Sequence, residues 1–244
     1  MVPIIEKLLT NYNRPFRPLK SLKAIVIHWT ANTGKKANAL AHFNYFNQTK
    51  DERLKNNNGK LNYGSTHYVV DSEIIYRFIP DDEMAYHVGA KNYKAIVDEK
   101  IVDQAGASPN YYTIGIEMCV NSDGDFSKTR QNTIELTDYL LRKYNLSTND
   151  VYRHFDITGK DCPKMMLDES IWGNFLNDIK VFNNSTLKLR VETSELNIRI
   201  GPSTNYPVTR KLKSGQIVPK LDQDGLWYKI GSDEWIHSNY VIVL

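Results

Sequence analysis

Hydrophobic and polar positions follow two different patterns along the chain, and the change falls near residue 187. Before it, short apolar runs alternate with stretches whose apolar side chains recur every three to four residues, which predicts strands alternating with helices. Beyond it, strand-length runs follow one another with turn residues between them, which predicts a small barrel. We therefore predict an α/β region with a mixed sheet flanked by helices (residues 1–182), a polar linker (183–186) and an all-β barrel (187–244).

Five strands and three helices are predicted before residue 187. The run Ala24–Trp29 is continuously apolar and predicts a strand covered on both faces. The other strands are expected at 66–70 and 73–79, which form a hairpin, and at 112–120 and 151–155. Helices are expected at 36–47, from a cap at Ser127 or Thr129 to Tyr144, and from a cap at Asp168 to Ile179. The polar residues 48–62 predict a loop.

Seven short strands are predicted beyond the linker. They are expected at 187–191, 196–199, 209–212, 217–221, 227–230, 235–237 and 240–244. Their even spacing and the turns between them are typical of a small closed or nearly closed β-domain.

Composition excludes several classes of protein without identifying a partner. The 244 residues carry a formal net charge of +3. Residues before Leu187 include 23 basic and 22 acidic side chains, and the remainder include 8 and 6. Neither part has the basic face of a nucleic-acid-binding protein, and the ordinary hydrophobic content argues against disorder. No apolar stretch approaches the ~20 residues needed to cross a bilayer, so membrane insertion is not expected.

The stretch Val151–Pro163 carries the most specific chemistry. His154 ends a predicted strand, and Cys162 lies eight positions later, beyond a turn at Thr158-Gly159. This spacing suits a strand end and the loop that returns past it, and an imidazole with a thiolate makes half of a zinc site. His28, at the end of the first strand, is the third candidate ligand. Three protein ligands leave a fourth position for water, as in catalytic zinc sites. On spacing alone, packed or solvated histidines remain the alternative.

Five motifs occur in order between residues 20 and 180. They are His28 after its apolar strand, Ser65-Thr-His-Tyr-Val-Val70, Ala85-Tyr-His-Val-Gly89, Gly115-Ile-Glu-Met118, and His154 with Gly159-Lys-Asp-Cys-Pro163. Together they resemble the zinc-dependent N-acetylmuramoyl-L-alanine amidase family, which includes phage amidase lysozymes and peptidoglycan recognition proteins. The resemblance implies a Zn²⁺ held by His28, His154 and Cys162, and hydrolysis of the amide between N-acetylmuramic acid and L-alanine in peptidoglycan.

Glu117 and Lys160 are the candidate catalytic side chains. Glu117 lies in the middle of a predicted strand on a face of small residues, where it is either a general base or a solvated or ion-paired carboxylate. The resemblance favours the catalytic role. Lys160 occupies the place where phage lysozymes carry a lysine implicated in transition-state stabilisation, and an exposed loop lysine is the alternative.

The resemblance implies substrate-binding roles for His67 and His87, since the His87 motif lies near the bound stem peptide in the family. His67 could equally be a hydrogen-bonded histidine within the sheet. One position departs from the phage lysozymes, which have a tyrosine immediately before the histidine corresponding to His67, whereas this chain has Thr66. The role of that tyrosine must therefore be vacant or taken by another residue, which strengthens the assignment of Glu117 as a catalytic residue. His42 and His237 are assigned no role.

Residues 187–244 resemble bacterial Src-homology-3-type domains, which commonly hold hydrolases on bacterial cell walls. The resemblance is carried by Leu196–Tyr206, Leu212–Gly215, Trp227–Ile230 and Glu234–Val241. A barrel that only packs against the catalytic region is the alternative. The expected partner is bacterial peptidoglycan, and the oligomeric state is left open.

The first ten residues lack the basic segment of a secretory signal, and two cysteines do not require a disulfide. With the resemblance, we expect a phage or prophage endolysin that is made in the bacterial cytoplasm and acts on the wall after release. Two other functions stay open. A non-catalytic peptidoglycan-binding protein on the same fold would lack the cysteine ligand, and a zinc peptidase would cut elsewhere in the stem peptide.

Overall fold

The computed structural model describes residues 2–244, apart from the side chains of residues 56 and 184–186, and it divides into two compact units. The first extends to Leu176 and the second runs from Asn177 to Leu244. Met1, the first residue of the predicted 1–182 region, lies outside the described residues. The predicted linker at 183–186 has a helical backbone, because Asn, Ser and Thr disfavour a helix only mildly and the last helix continues through them.

A mixed sheet forms the centre of the first unit, as predicted, and it has six strands where five were expected. Its strands are β1 Ile4–Glu6, β2 Ala24–Trp29, β3 Tyr68–Val70, β4 Ile75–Arg77, β5 Thr113–Met118 and β6 Val151–Arg153, in the order β1-β4-β3-β5-β2-β6. β2 and β3 pair in parallel with β5, β6 pairs in parallel with β2, and β3 and β4 form the antiparallel hairpin. β1 was not predicted, because it is only three residues long and its parallel partner β4 is distant in sequence.

The neighbouring strands β2 and β5 are buried on both faces, which explains their apolar sequences. Ala24 to Ile27 in β2 have no exposed surface, and neither do Ile114 and Ile116 in β5. A strand covered on both sides needs hydrophobic residues at successive positions. The candidate residues therefore stand on a rigid, fully packed part of the sheet.

The described residues form five α-helices: α1 Ala39–Phe46, α2 Lys50–Asn56, α3 Phe126–Lys143, α4 His154–Thr158 and α5 Glu169–Thr186. The Asp168 cap of α5 is confirmed, since its carboxylate accepts from the Ser170 N–H at 2.8 Å. The predicted cap of α3 is wrong. Asp125, not Ser127 or Thr129, accepts from the Lys128 N–H at 3.1 Å.

Helix α2 lies in the segment 48–62 that was predicted to be a loop. Thr49 and Glu52 form a capping box: the Thr49 hydroxyl accepts from the Glu52 N–H at 3.2 Å, and the Glu52 carboxylate accepts from the Thr49 N–H at 2.7 Å. This reciprocal pair stabilises a helix start whose polar sequence has no strong hydrophobic periodicity.

After the end of α5, the second unit is all-β, as predicted, and its strands form two antiparallel sheets. Its strands are β7 Lys188–Val191, β8 Glu195–Arg199, β9 Val208–Lys213, β10 Ile217–Pro219, β11 Asp222–Asp224, β12 Trp227–Gly231, β13 Glu234–His237 and β14 Val241–Val243. The sheet orders are β10-β7-β14 and β11-β12-β13-β8-β9. β11 was missed because its three residues are polar and exposed. Inward-facing aliphatic side chains form the core: Leu189, Val191, Leu196, Ile198, Leu212, Ile230 and Ile236. Among the described helices of the chain, none is long and apolar enough to cross a membrane.

Candidate metal centre and cleft

Two parallel strands carry the first candidate residues to one edge of the sheet. β2 and β5 are neighbours, and His28 lies opposite Glu117 in their register. Side chains at paired positions of neighbouring strands point to the same face. Both residues stand at the carboxyl ends of their strands, where open α/β sheets commonly bind ligands.

His154 and Cys162 come from the segment that follows β6. This strand ends earlier than predicted, at Arg153, and His154 begins helix α4. The helix stops at Gly159, whose φ of 81° is a conformation that glycine adopts readily. The Phe155 N–H then donates to the Cys162 carbonyl at 2.9 Å, so the returning loop brings the cysteine beside the histidine.

A buried arginine fixes this segment and explains why the strand gives way to a helix. Arg153 donates to the carboxylates of Asp156 at 2.8 Å and Glu169 at 2.7 Å, and to the carbonyls of Met166 at 3.0 Å and Leu167 at 3.1 Å. The Asp156 carboxylate also accepts the Arg153 backbone N–H at 2.8 Å, at the first turn of the helix. Our reading of the sequence missed Arg153. The Arg-x-x-Asp spacing beside a glycine-terminated turn was the available signal.

The three predicted ligands converge on one point. His28 Nδ1 lies 3.1 Å from His154 Nδ1 and 3.7 Å from Cys162 Sγ, and all three donor atoms fall within 4.8 Å of one another. Tetrahedral zinc, with bonds of about 2.0–2.1 Å to nitrogen and about 2.3 Å to sulfur, separates two nitrogen ligands by about 3.3 Å and nitrogen from sulfur by about 3.6 Å. The donor set therefore fits an ion of this kind.

Burial disfavours the charged form of all three side chains. It lowers the pKa of His28 well below its ordinary value, helped by the nearby His87 and His154, and it lowers the pKa of His154 to about 4. Both imidazoles are thus neutral, as metal ligation requires. Burial and the Glu117 carboxylate raise the pKa of the Cys162 thiol to about 12. A bound metal cation is the partner that would stabilise the thiolate.

Glu117 and Lys160 both face the cleft beside this centre. Two adjoining cavities of about 450 Å³ each meet there and share part of their lining, which consists of Phe46, His87, Glu117, His154 and Lys160. Glu117 Oε2 is buried and accepts no hydrogen bond within the described part of the chain. Burial raises the pKa of Glu117 to about 8, and the Lys160 cation opposes that rise. A carboxyl that titrates near neutrality is suited to proton transfer.

Aromatic side chains that sequence reasoning missed form a rim around the cleft. This aromatic rim consists of Tyr45, Phe46, Tyr63 and Tyr86. Tyr45 and Tyr63 are 51% and 56% exposed, which is unusual for rings beside a buried polar centre. The guanidinium of Arg53 lies 3.8 Å from the centre of the Tyr45 ring. The adjacent aromatic residues Tyr45 and Phe46 at the end of α1 were the feature of the sequence that could have indicated this rim.

His67 does not face the cleft, contrary to the substrate-binding role predicted for it. Its side chain is fully buried, and Nδ1 accepts from the Gly115 N–H at 3.0 Å. Nε2 lies 2.8 Å from the Glu83 carbonyl, to which it donates. Both ring nitrogens are therefore used within the sheet. The neighbouring Thr66 is buried too, and its hydroxyl donates to the Gly115 carbonyl at 2.8 Å, so it takes no tyrosine-like place in the cleft.

His87 reaches the cleft but is only 8% exposed. Its Nδ1 lies 3.0 Å from His28 Nε2, on the side of the His28 ring opposite the candidate metal position. His87 thus contacts a candidate ligand directly, an arrangement that the sequence pattern did not predict.

The sequence profile of N-acetylmuramoyl-L-alanine amidases matches residues 18–165, and that of bacterial SH3 domains matches residues 194–242. A probable N-acetylmuramoyl-L-alanine amidase of Bacillus licheniformis is 38% identical over 258 residues, covering 98% of this chain and 66% of the relative. The amidase CwlL of the same species is 36% identical over 70% of this chain and 44% of its own length. CwlH of Bacillus subtilis is 34% identical over 70% and 58%. The chain thus spans less than two thirds of these curated relatives.

Solved structures agree with the sequence comparison. The catalytic domain of XlyA is 30% identical with a TM-score of 0.56, and a mutant endolysin from Bacillus subtilis is 32% identical with a TM-score of 0.57. Each alignment covers 73% of this chain and 99% of the other. Each similarity therefore extends over about three quarters of this chain.

Proposed function

The chain belongs to the N-acetylmuramoyl-L-alanine amidase family, and from that premise we propose that it hydrolyses the amide between the lactyl carboxyl of N-acetylmuramic acid and L-alanine in peptidoglycan. One observation carries the proposal. The donor atoms of His28, His154 and Cys162 converge beside Glu117 on the floor of an aromatic-rimmed cleft. The family relationship supports the reaction, and the proximity of these groups supports their proposed roles in it.

Zinc is the metal we assign to this centre. Two imidazoles and one thiolate are ligands that zinc favours, and three protein ligands suit a catalytic site. Bound there, zinc would supply Lewis acidity for a carbonyl and lower the pKa of a water ligand. His28 lies on a packed strand, and Cys162 lies on a loop held by backbone hydrogen bonds. Both residues would therefore hold a bound ion rigidly.

Glu117 is the proposed general base. Its carboxyl lies in the cleft lining shared by both cavities and has a buried oxygen with no partner within the described residues. Such an oxygen can accept the proton of an attacking water and pass it to the leaving amine of L-alanine. A neighbouring dication would favour the ionised form of this carboxyl, which burial alone disfavours.

Lys160 is proposed to stabilise negative charge that develops on the amide oxygen. It lines both cavities next to His154, and it is exposed on the loop that leads to Cys162. An ammonium group placed where charge develops lowers the barrier without itself reacting. The aromatic rim offers flat ring surfaces, which suit a substrate made of a sugar and a peptide.

The barrel is proposed to bind the bacterial cell wall. The bacterial SH3 match covers most of the second unit, which has its own hydrophobic core. Peptidoglycan is therefore the proposed partner of both units. The cysteine ligand disfavours a purely binding protein on this fold, while a zinc peptidase acting elsewhere in the stem peptide differs from the proposed enzyme in its product.

Digestion of purified cell walls tests the activity. The proposal predicts new amino termini on L-alanine and no new reducing sugar ends. Reducing ends would identify a glycosidase and refute the proposal. New amino termini on another residue would instead identify the peptidase.

A further inference from the structure

A chain of buried polar contacts leads from His28 into the interior of the first unit. His28 Nε2 lies 3.0 Å from His87 Nδ1, and His87 Nε2 lies 3.1 Å from Thr113 Oγ1 and 3.3 Å from the Thr113 carbonyl oxygen. The Thr113 hydroxyl in turn donates to the Pro109 carbonyl at 2.9 Å. His28 and Thr113 are almost completely buried and His87 is 8% exposed, so the protein itself supplies their partners.

The direction of each hydrogen bond follows from counting donors. A neutral imidazole has one N–H and one lone pair, and a threonine hydroxyl has one proton. The Pro109 carbonyl only accepts, so the Thr113 proton points to it, and Thr113 Oγ1 then accepts from His87. The Thr113 carbonyl, also beside His87 Nε2, can only accept as well. Both oxygens therefore require the proton of His87 to be on Nε2.

The same count of donors and acceptors determines which ring nitrogen of His28 carries its proton. With its proton on Nε2, His87 has a lone pair on Nδ1, which accepts from His28 Nε2. His28 then has its own proton on Nε2 and a lone pair on Nδ1. That lone pair is directed to the point shared with His154 Nδ1 and Cys162 Sγ.

We propose that His87 and Thr113 form a one-directional hydrogen-bond relay that holds His28 in the tautomer able to bind metal through Nδ1. His87 is then a positioning residue for His28, a role that the sequence did not predict. The inference rests on the metal centre of the proposed function. It adds the group that fixes the orientation and protonation of one ligand, as hydrogen-bond partners of metal-bound histidines commonly do.

The packing around His87 is specific to this arrangement. A Cβ atom at Gly115 would lie 2.7 Å from His87 Cγ and from His87 Nδ1, so only glycine allows the ring to lie against β5 here. Thr113 and Gly115 are two positions apart on β5 and share one face. The His67 ring packs edge-on against His87, with 5.7 Å between ring centroids. The ring is thus held between a strand and a second histidine.

Nuclear magnetic resonance of the ¹⁵N-histidine-labelled full chain reads the tautomer directly. Two-bond ¹⁵N–¹H correlations distinguish protonated from unprotonated ring nitrogens, with or without zinc. We expect His87 to be protonated on Nε2 and unprotonated on Nδ1. A proton on His87 Nδ1 would overturn the relay.

Zinc affinity provides the second readout, measured by competition with a chromogenic chelator. His87→Phe keeps an aromatic ring at this position but removes both nitrogens, and we expect zinc binding to weaken by about 10–100-fold. His87→Asn, whose amide oxygen can accept near the Nδ1 position, should recover part of the loss. Thr113→Val should weaken binding by a smaller factor, while Thr113→Ser, which keeps the hydroxyl, should bind like the wild type.

A folded His87→Phe variant with wild-type zinc affinity would overturn the proposal. If the His87→Phe variant does not fold, the comparison of Thr113→Val with Thr113→Ser tests the proposal instead. Equal zinc affinities of these two variants would overturn it. Failure of the wild-type protein to bind zinc would refute the metal assignment of the proposed function, and the tautomer spectrum of the metal-free protein would still decide the relay.

Discussion

The two cysteines of this chain have different surroundings, and only one belongs to the candidate metal centre. Cys162 Sγ lies 3.7 Å from His28 Nδ1, whereas Cys119 Sγ lies 3.8 Å from His42 Nδ1 within a hydrophobic cluster. Cys162→Ser should therefore lose bound zinc and activity, because a hydroxyl is a poor substitute for a thiolate ligand.

Cys119→Ser is the matched control, since it changes a cysteine of equal burial. It should keep one equivalent of zinc, measured by metal analysis after gentle purification, with at most a modest loss of stability. Full zinc content in Cys162→Ser, or a selective loss in Cys119→Ser, would contradict the ligand assignment.

Glu117→Gln tests the proposed general base. The amide keeps the size of the side chain but cannot take a proton, so turnover should fall by on the order of 10²–10⁴-fold while zinc content stays unchanged. Glu73→Gln, an exposed change in the β3–β4 turn, is the control and should leave the rate unaltered. A near-normal rate in Glu117→Gln would show that this carboxyl is structural.

The three predicted ligands do converge at the candidate metal centre, and it was the order of the five motifs, more than local spacing alone, that indicated them in the sequence. Sequence reasoning failed for His67, whose two nitrogens are bonded to backbone groups from β5 and from the segment after β4. It also missed the contact of His87 with His28. These partners are 16 to 59 positions apart in sequence, and no spacing rule indicates which nitrogen meets which oxygen.

At the scale of elements, a buried carboxylate joins the hairpin to the end of α3. Asp81 accepts from Tyr68 at 2.5 Å, Tyr144 at 2.6 Å and Lys143 at 2.8 Å. Burial raises the pKa of Asp81, but hydrogen bonds from Lys143, Tyr144 and Tyr68 outweigh it, so the net shift is downward. The contribution of this carboxylate to stability is then complete above about pH 4 and is lost as the pH falls through the folded-state pKa.

Asp81→Asn should lower the free energy of unfolding by about 1–3 kcal/mol at neutral pH, since buried donors lose their charged acceptor. The difference in the free energy of unfolding between Asp81→Asn and the wild type should shrink below about pH 4, because the wild-type carboxylate loses its charge as the pH falls through its pKa. Denaturant titrations at several pH values measure both effects. Asp82→Asn, next to it but exposed, should change stability by less than about 0.5 kcal/mol, and an equal loss there would contradict this account.

Elements with strong hydrophobic periodicity were predicted well, and short polar ones were not. β2, β5 and the seven barrel strands follow from apolar runs and turn residues. Helix α2 depends on a capping box, and strand β11 depends on pairing with β12. Both elements have mostly polar sequences. Helix α4 replaced the end of a predicted strand because Arg153 and Asp156 bond to each other, a side-chain contact that the pattern of hydrophobic residues does not show.

At the scale of the molecule, each unit has its own core, so the proposed catalytic role and the proposed wall-binding role can be tested separately. An enzyme ending at residue 186 should match the full chain on a small soluble muropeptide, because every proposed catalytic residue lies in the first unit. On intact walls it should be slower, since a linked binding module raises local concentration, an effect that reaches about 10²–10⁴-fold. Equal rates of both forms on walls would contradict the targeting role.

The barrel alone offers a complementary test. A fragment of residues 187–244 should fold and sediment with purified cell walls. Its folding is checked by circular dichroism, and a heat-unfolded sample serves as the control. A folded fragment that remains in the supernatant would leave the barrel as a packing partner only.

Hydrolysis of a soluble muropeptide in ¹⁸O-labelled water tests the central claim most directly, because the label marks the bond that water attacks. Mass spectrometry of the products should show one ¹⁸O atom in the lactyl carboxylate of N-acetylmuramic acid and none in the released peptide, and Cys162→Ser should give no labelled product. Label in a carboxyl group of the stem peptide, or only at the anomeric position of the sugar, would contradict the assignment of this chain as a metal-dependent amidase.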